Sequence, residues 1–205
     1  LEGRKIAGNT FDYPVIHGKA IQSAGNYSFI SSSEEAVESG RVRLTDYPIV
    51  DLILGLEKET PPEQNFANKS YKTFSPTMQQ LIQQYCQSGG NILVSGSYVG
   101  SDMRSETEQS FTRNVLKYAA EGSLNDSYSD GVYGIGKVFT IPRKVNETSY
   151  AVSLPDCITP VSPAFSAFIY MGGNRSAGIA YKESYGTFVL GFPFESIGSE
   201  MDRAY

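Results

Sequence analysis

Tryptophan is absent from this chain of 205 residues, histidine occurs once and cysteine twice. One histidine, His17, and two widely separated cysteines, Cys86 and Cys157, exclude a structural zinc site, which takes four such ligands close together. Positive charge is also scarce. The 17 Lys and Arg face 22 Asp and Glu, and the net charge of −5 argues against a nucleic-acid backbone as the main partner. No run approaches the ~18 apolar residues of a membrane-spanning helix. The opening "LEGRKIAGNT" has neither an initiator Met nor a signal-peptide pattern, so the sequence reads as a mature or excised piece of a longer chain. Cys86, on a predicted helix face, and Cys157, in a predicted loop, read as small buried hydrophobes that do not pair.

What is present is ordinary globular material, 40% hydrophobic and 19% charged. A chain of this length removes roughly 70% of its unfolded surface from water in one core. With no repeat and no linker, residues 1–205 read as a single domain. Tyr (14) and Phe (11) are plentiful, a bias common in extracytoplasmic and glycan-handling proteins. Asn-x-Ser/Thr triplets start at Asn26, Asn68, Asn125, Asn146 and Asn174.

Local patterns predict helix over 14–25, a short strand over 27–31, and a capped helix after Ser32 that stops at Gly40. The apolar run 47–56 reads as a strand covered on both faces. After the loop-like 57–74, Ser75 caps a helix with Pro76 in its first turn and one stripe of Met78, Leu81, Ile82, Tyr85 and Cys86. A strand over 91–95 leads to a sharp turn at Gly96-Ser97. A helix from Ser105, with Glu108 closing a capping box, carries Phe111, Val115, Tyr118 and Ala119 to Gly122. A turn-rich excursion (122–136) precedes strand-like runs at 137–141, 149–153, 164–170, 177–182 and 186–192, joined as hairpins. The final run is apolar enough to re-enter the central sheet. The fold class is thus α/β with an antiparallel C-terminal extension. Nothing before Pro14 is apolar enough for a first strand, so that strand is expected upstream, leaving an exposed sheet edge or an unfilled central position, covered by a neighbouring molecule.

The strand, sharp turn and helix around "GGNILVSGSYVGSDM", with the tail "VLGFPFESI", resemble the class I glutamine amidotransferase-like superfamily, a flavodoxin-like three-layer sandwich. Together with "IHGKAI", "YSFISSSEEAV" and "VDLILGLEK", they are similar to a domain of large secreted Bacteroidetes proteins labelled xanthan lyase or xanthan lyase-like. The resemblance spans most of the chain and implies an extracytoplasmic setting. Against the family pattern, Ser97 stands where an amidotransferase carries its nucleophilic Cys, and serine needs a base within reach. The closing Phe-His-Pro-Glu becomes Phe194-Glu195, without the histidine. The oxyanion strand ends Leu54-Gly55-Leu56-Glu57 in place of Gly-Gly-Pro. Ser97 therefore reads as a vestigial nucleophile position, with Glu57 and Glu195 as the other catalytic candidates at the carboxyl edge of the sheet.

His17 reads as a partly exposed or core-edge histidine held by backbone; Lys19 and Lys58 are alternative bases without supporting spacing. Asp102 is a candidate ligand contact or a helix cap. Glu57, Asp102 and Glu195 as neighbours would suit glycoside hydrolysis or a divalent cation, though neither a metal site nor a cofactor is assigned. "GVYGIGKV" (131–138) lacks the residue order of a phosphate loop. Tyr98, Tyr133 and Tyr185 are candidate binding residues, and Tyr128, Tyr150, Tyr170 and Tyr181 share their loop-rich setting; exposed tyrosines stack on sugar faces. The leading expectation is a non-catalytic scaffold or glycan-contacting module, its partners polysaccharide or neighbouring domains of its parent chain. The alternative is an enzyme, either a polysaccharide lyase or a Ser97-dependent hydrolase.

Overall fold

The computed structural model describes residues 13–59, 71–124, 130–142, 152 and 154–205. In chain order the elements are α1 (Tyr13–Ala24), α2 (Glu34–Glu38), β1 (Ile49–Gly55), α3 (Pro76–Gln87), β2 (Asn91–Gly96), α4 (Glu106–Phe111) and β3 (Tyr118–Ser123). They continue as β4 (Gly131–Gly134), β5 (Lys137–Thr140), β6 (Asp156–Pro160), β7 (Phe165–Tyr170), β8 (Ser176–Lys182), β9 (Gly186–Leu190) and α5 (Glu200–Ala204). Seven strands form one sheet in the order β1-β2-β9-β8-β7-β4-β5, and β3 pairs with β6 in a separate ribbon. β1, β2 and β9 are parallel; β8, β7, β4 and β5 follow antiparallel. The chain is a mixed α/β domain, and its last strand inserts beside β2 as the apolar run at 186–192 predicts.

Local chemistry explains the best-formed elements. Ser75 Oγ accepts the Met78 amide, Pro76 opens α3, and Met78, Ile82, Tyr85 and Cys86 are buried along one stripe. Ser105 and Glu108 form the predicted capping box at the start of α4. Because side chains alternate along a strand, β1 sends Val50, Leu52 and Leu54 to a core shared with α3, Ile92, Val94 and Val189. A second core gathers Phe139, Phe168, Tyr170, Leu190, Phe192 and Ile197. Asp51, between Val50 and Leu52, points away from the α3 core and meets His17 of α1. Both cysteines are buried and unpaired, as expected.

Five expectations need correction. Residues 27–31 are not a strand: Phe29 lies against Gly18 of α1, where an added Cβ would collide with its ring, and Tyr27 and Ile30 face solvent. The cap of α2 is Ser33, not Ser32. The helix from Ser105 does not reach Gly122. A π-helical turn, Thr112–Leu116, ends at Lys117 in the left-handed region (φ 69°), and Tyr118 and Ala119 begin β3. Burial of the Tyr118 ring, whose hydroxyl donates to the Val99 carbonyl at 2.6 Å, outweighs the helical periodicity. The excursion at 122–136 includes β4, and Cys157 lies on β6 rather than in a loop. The run 149–153 lies largely outside the described residues, as do Tyr128 and Tyr150.

Among the described residues β1 pairs with β2 alone, so it forms one edge of the sheet. The opposite edge, β5, is covered. The Gly198 amide donates to the Thr140 carbonyl at 3.0 Å, Lys137 pairs with Asp202 of α5 at 2.5 Å, and Tyr205 packs on Phe139.

Candidate functional site

Parallel strands end at a common edge, and here that edge gathers the sequence candidates. Glu57 lies just beyond β1, Ser97 just beyond β2, and Glu195 in the 3-10 turn Phe194–Ser196 after β9. Gly55 is their shared neighbour. Its carbonyl accepts the Ser97 amide at 2.9 Å, and a Cβ at Gly55, where φ is +52°, would lie 3.3 Å from Glu195 Oε1.

The strongest arrangement at this edge is one the sequence conceals. His17, 2% exposed, is clamped between two acids: Nδ1 is 2.6 Å from Asp51 Oδ2 and Nε2 is 3.1 Å from Glu195 Oε2. The imidazole also rests against the Phe194 ring, with centroids 4.7 Å apart. Burial alone would lower the histidine pKa, but hydrogen bonds and charge from Asp51 and Glu195 outweigh it and raise the value to about 9. At neutral pH the ring is an imidazolium that donates both N–H groups and has no lone pair with which to act as a base. His17 is therefore buried and side-chain-bonded, not a core-edge residue held by backbone. The signal in the sequence was Asp51, the lone acid in an otherwise apolar strand.

Ser97 is 1% exposed, and its Oγ makes no hydrogen bond. A nucleophile elbow is a strained turn that lifts the hydroxyl into the open, but Ser97 is buried and does not have a positive φ. Lys58, one of the two lysines named as alternative bases, lies over the Tyr98 ring at 4.8 Å from its centroid.

Two buried aspartates hold the loop that follows Ser97. Asp102 Oδ2 accepts the amides of Glu59 (3.0 Å) and Thr73 (3.1 Å), tying the loop to the ends of the segment after β1. Asp102 therefore does not cap a helix; Ser105 does. On the other side Asp156 Oδ2 accepts the amides of Gly100 (2.8 Å) and Ser101 (2.7 Å), and Ser123 Oγ donates to Oδ1 at 2.9 Å. Burial raises the pKa of Asp156 despite these bonds. Its backbone is fixed too. The Asp156 amide donates to the Gly191 carbonyl at 2.7 Å, and a Cβ at Gly191 would collide with the Asp156 carbonyl oxygen.

Glu57 is half-buried and faces acids. Burial first, then Glu34, Glu35, Asp102 and Glu38, push its carboxyl up to about 7. Among the described residues no group of three or more His, Cys, Asp or Glu has the arrangement of a metal site.

The tyrosines divide. Tyr170 and Tyr181 are core residues. Tyr185 is half-buried, its hydroxyl donating to the Val115 carbonyl at 2.8 Å and its ring against Tyr181 at 4.8 Å. Tyr98 is half-buried under Lys58. Tyr133, 50% exposed, lines an open cavity of about 550 Å³ with Ile169, Met171, Gly172, Gly173 and Asn174.

The edge of parallel strands and the clamped acids define an α/β domain of mixed sheet. The chain matches no protein-family model and no curated protein sequence. Among solved structures it is similar to the mmIFT52 N-terminal domain, at 14% identity and a TM-score of 0.54, over 92% of this chain and 88% of that one. At that identity the likeness is one of fold.

Proposed function

We propose that the chain is a non-catalytic, amidotransferase-like α/β domain, a scaffold or glycan-contacting module of a secreted or periplasmic protein concerned with polysaccharide. The observation that carries the non-catalytic part is the state of the two groups a serine hydrolase would couple. The single histidine has both ring nitrogens engaged by Asp51 and Glu195, and the buried Ser97 Oγ has no hydrogen-bond partner. Serine attacks only when a base takes its proton, and among the described residues no such base lies within hydrogen-bond reach of it. A three-layer arrangement is supported by α1 on the Asp51 face of β1 and α3 in the core on the other. Glycan contact rests on the Tyr133 ring beside an open cavity with the side-chain-free Gly172 and Gly173 and the amide of Asn174.

The test is calorimetric titration with a panel of neutral and acidic oligosaccharides that includes xanthan fragments. The expected result is saturable heat without turnover, weakened about tenfold by Tyr133→Ala, in keeping with loss of one stacked ring. Sustained heat flow abolished by Ser97→Ala would overturn the non-catalytic reading. Silence across the panel would remove glycan contact and leave the scaffold role.

A further inference from the structure

We infer that the turn after β2 is an oxyanion-binding nest whose resident ligand is the chain's own Asp156 carboxylate, and that the same nest, once vacated, takes a small free carboxylate such as acetate. The receptor is mostly main chain. The adjacent amides of Gly100 and Ser101 converge on one oxygen, Asp156 Oδ2, at 2.8 and 2.7 Å. Successive N–H groups aimed into one concavity are a recurrent way of holding an anion. Ser123 Oγ donates to the other oxygen, Oδ1, at 2.9 Å. These donors are all neutral, and among the described residues no Lys, Arg or His forms an ion pair with Asp156. The residue is fully buried. A buried carboxylate without a counter-ion is tolerated only where several donors replace its water, and a receptor for a free oxyanion meets the same requirement.

Three details of the chain serve this contact. A Cβ at Gly100 would stand 3.3 Å from Asp156 Oδ2 and 3.0 Å from the Ala120 Cβ, so a missing side chain is what lets the turn reach the carboxylate. Ser123 faces Asp156 across the β3–β6 ribbon only after a register shift, within which Gly122 takes φ +82°. That irregularity aims the Ser123 hydroxyl at Oδ1. The main chain of Asp156 is held independently of its side chain. Its amide donates to the Gly191 carbonyl at 2.7 Å, and its carbonyl accepts the Tyr170 hydroxyl at 2.9 Å.

Position 156 therefore keeps its place when the side chain is removed. What Asp156→Gly takes away, one methylene and one carboxylate, has the bulk and charge of an acetate ion. Ser101 is half-buried, which puts the vacated site one residue from solvent. Asp102 does not duplicate the role. Its carboxylate accepts amides of other segments, Glu59 and Thr73, whereas Asp156 accepts those of the turn itself. The filled nest ties the turn that follows Ser97 to a ribbon separate from the main sheet. The inference is independent of glycan contact.

The test compares the whole 205-residue chain with its Asp156→Gly and Asp156→Asn variants. Sodium acetate is the probe, and sodium chloride at equal ionic strength is the control. Acetate at ten times its Kd should raise the Tm of Asp156→Gly by about 4 °C and shift the Gly100 and Ser101 amide resonances, both effects saturating together. Chloride should do neither, and the wild type, whose nest is filled, should show no saturable response. If Asp156→Gly is unfolded in buffer, acetate and not chloride should restore its fold. Asp156→Asn keeps the shape without the charge. It is expected to fold, to ignore acetate, and to exchange its Gly100 and Ser101 amides about tenfold faster than the wild type, with the β2–β9 ladder unchanged. The proposal is overturned if Asp156→Gly, folded or not, gains nothing from acetate or gains equally from chloride. It is overturned too if the wild type responds as that variant does, or if exchange at the two amides is unchanged in Asp156→Asn.

Discussion

The trio at His17 and the turn at Ser97 stand a few ångströms either side of Gly55 and solve the problem of buried polarity in opposite ways. At His17 one cation stands between two carboxylates, with short charge-assisted contacts to both ring nitrogens. At Ser97 the main chain is held by Gly55 and, beyond it, by Asp102 and Asp156, while the hydroxyl itself is left without a partner. One region uses charge to fix α1 and the tail after β9 onto the sheet; the other fixes a loop and leaves its side chain idle. Polar groups at a sheet edge that binds ligands in other α/β proteins are here turned inward to hold the fold.

The largest effect expected from breaking this contrast is at His17. Replacement by Leu removes the imidazolium from between Asp51 and Glu195 and should cost about 3–5 kcal/mol, read as a fall in denaturant midpoint. The native trio also predicts a pH dependence. The folded pKa of about 9 lies above the unfolded value of 6.5, so the stabilisation is complete below pH 6.5 and is lost as pH rises through 9. It is on the order of 3 kcal/mol.

A smaller effect is expected at Glu57, whose carboxyl is raised to about 7 by burial and neighbouring acids. A raised carboxyl pKa opposes folding once the group must ionise, so the penalty begins near pH 4.5 and is complete above 7. Glu57→Gln should therefore stabilise the protein at pH 8 by about 1 kcal/mol after allowance for partial exposure, and leave it unchanged at pH 4. Denaturation series at the two pH values test the sign.

The smallest effect is at Ser97. Ser97→Ala removes a buried hydroxyl that makes no hydrogen bond, so stability should change by less than about 0.5 kcal/mol or rise slightly. A loss of 2 kcal/mol or more in thermal or chemical unfolding would mean that the hydroxyl is bonded after all.

Elements defined by nearby residues were legible in the sequence. α3 is announced by Ser75, Pro76 and its stripe, and α4 by the Ser105–Glu108 box, because caps and periodicity act within a few residues. β3 was hidden because Phe111, Val115, Tyr118 and Ala119 keep helical spacing, and Lys117 adopts its left-handed turn without a glycine to mark it. β6 was hidden because its pairing partner lies far back in the chain, at β3. Ser97, Glu57 and Glu195 follow the ends of β2, β1 and β9, positions that strand runs in the sequence mark. The partners of His17 were not foreseen, since Asp51 and Glu195 lie 34 and 178 residues away and only the fold brings them together. Asp156 escaped notice for the same reason: its partners, Gly100 and Ser101, are backbone groups of a distant loop.

The measurement that tests the central claim most directly is the ¹⁵N chemical shift of the His17 imidazole, followed from pH 5 to 10. The ring is expected to be protonated on both nitrogens at pH 7.5 and to titrate near 9. A neutral tautomer at pH 7.5, with a midpoint near the ordinary 6.5, would contradict it, since His17 would then not be the cation that Asp51 and Glu195 hold.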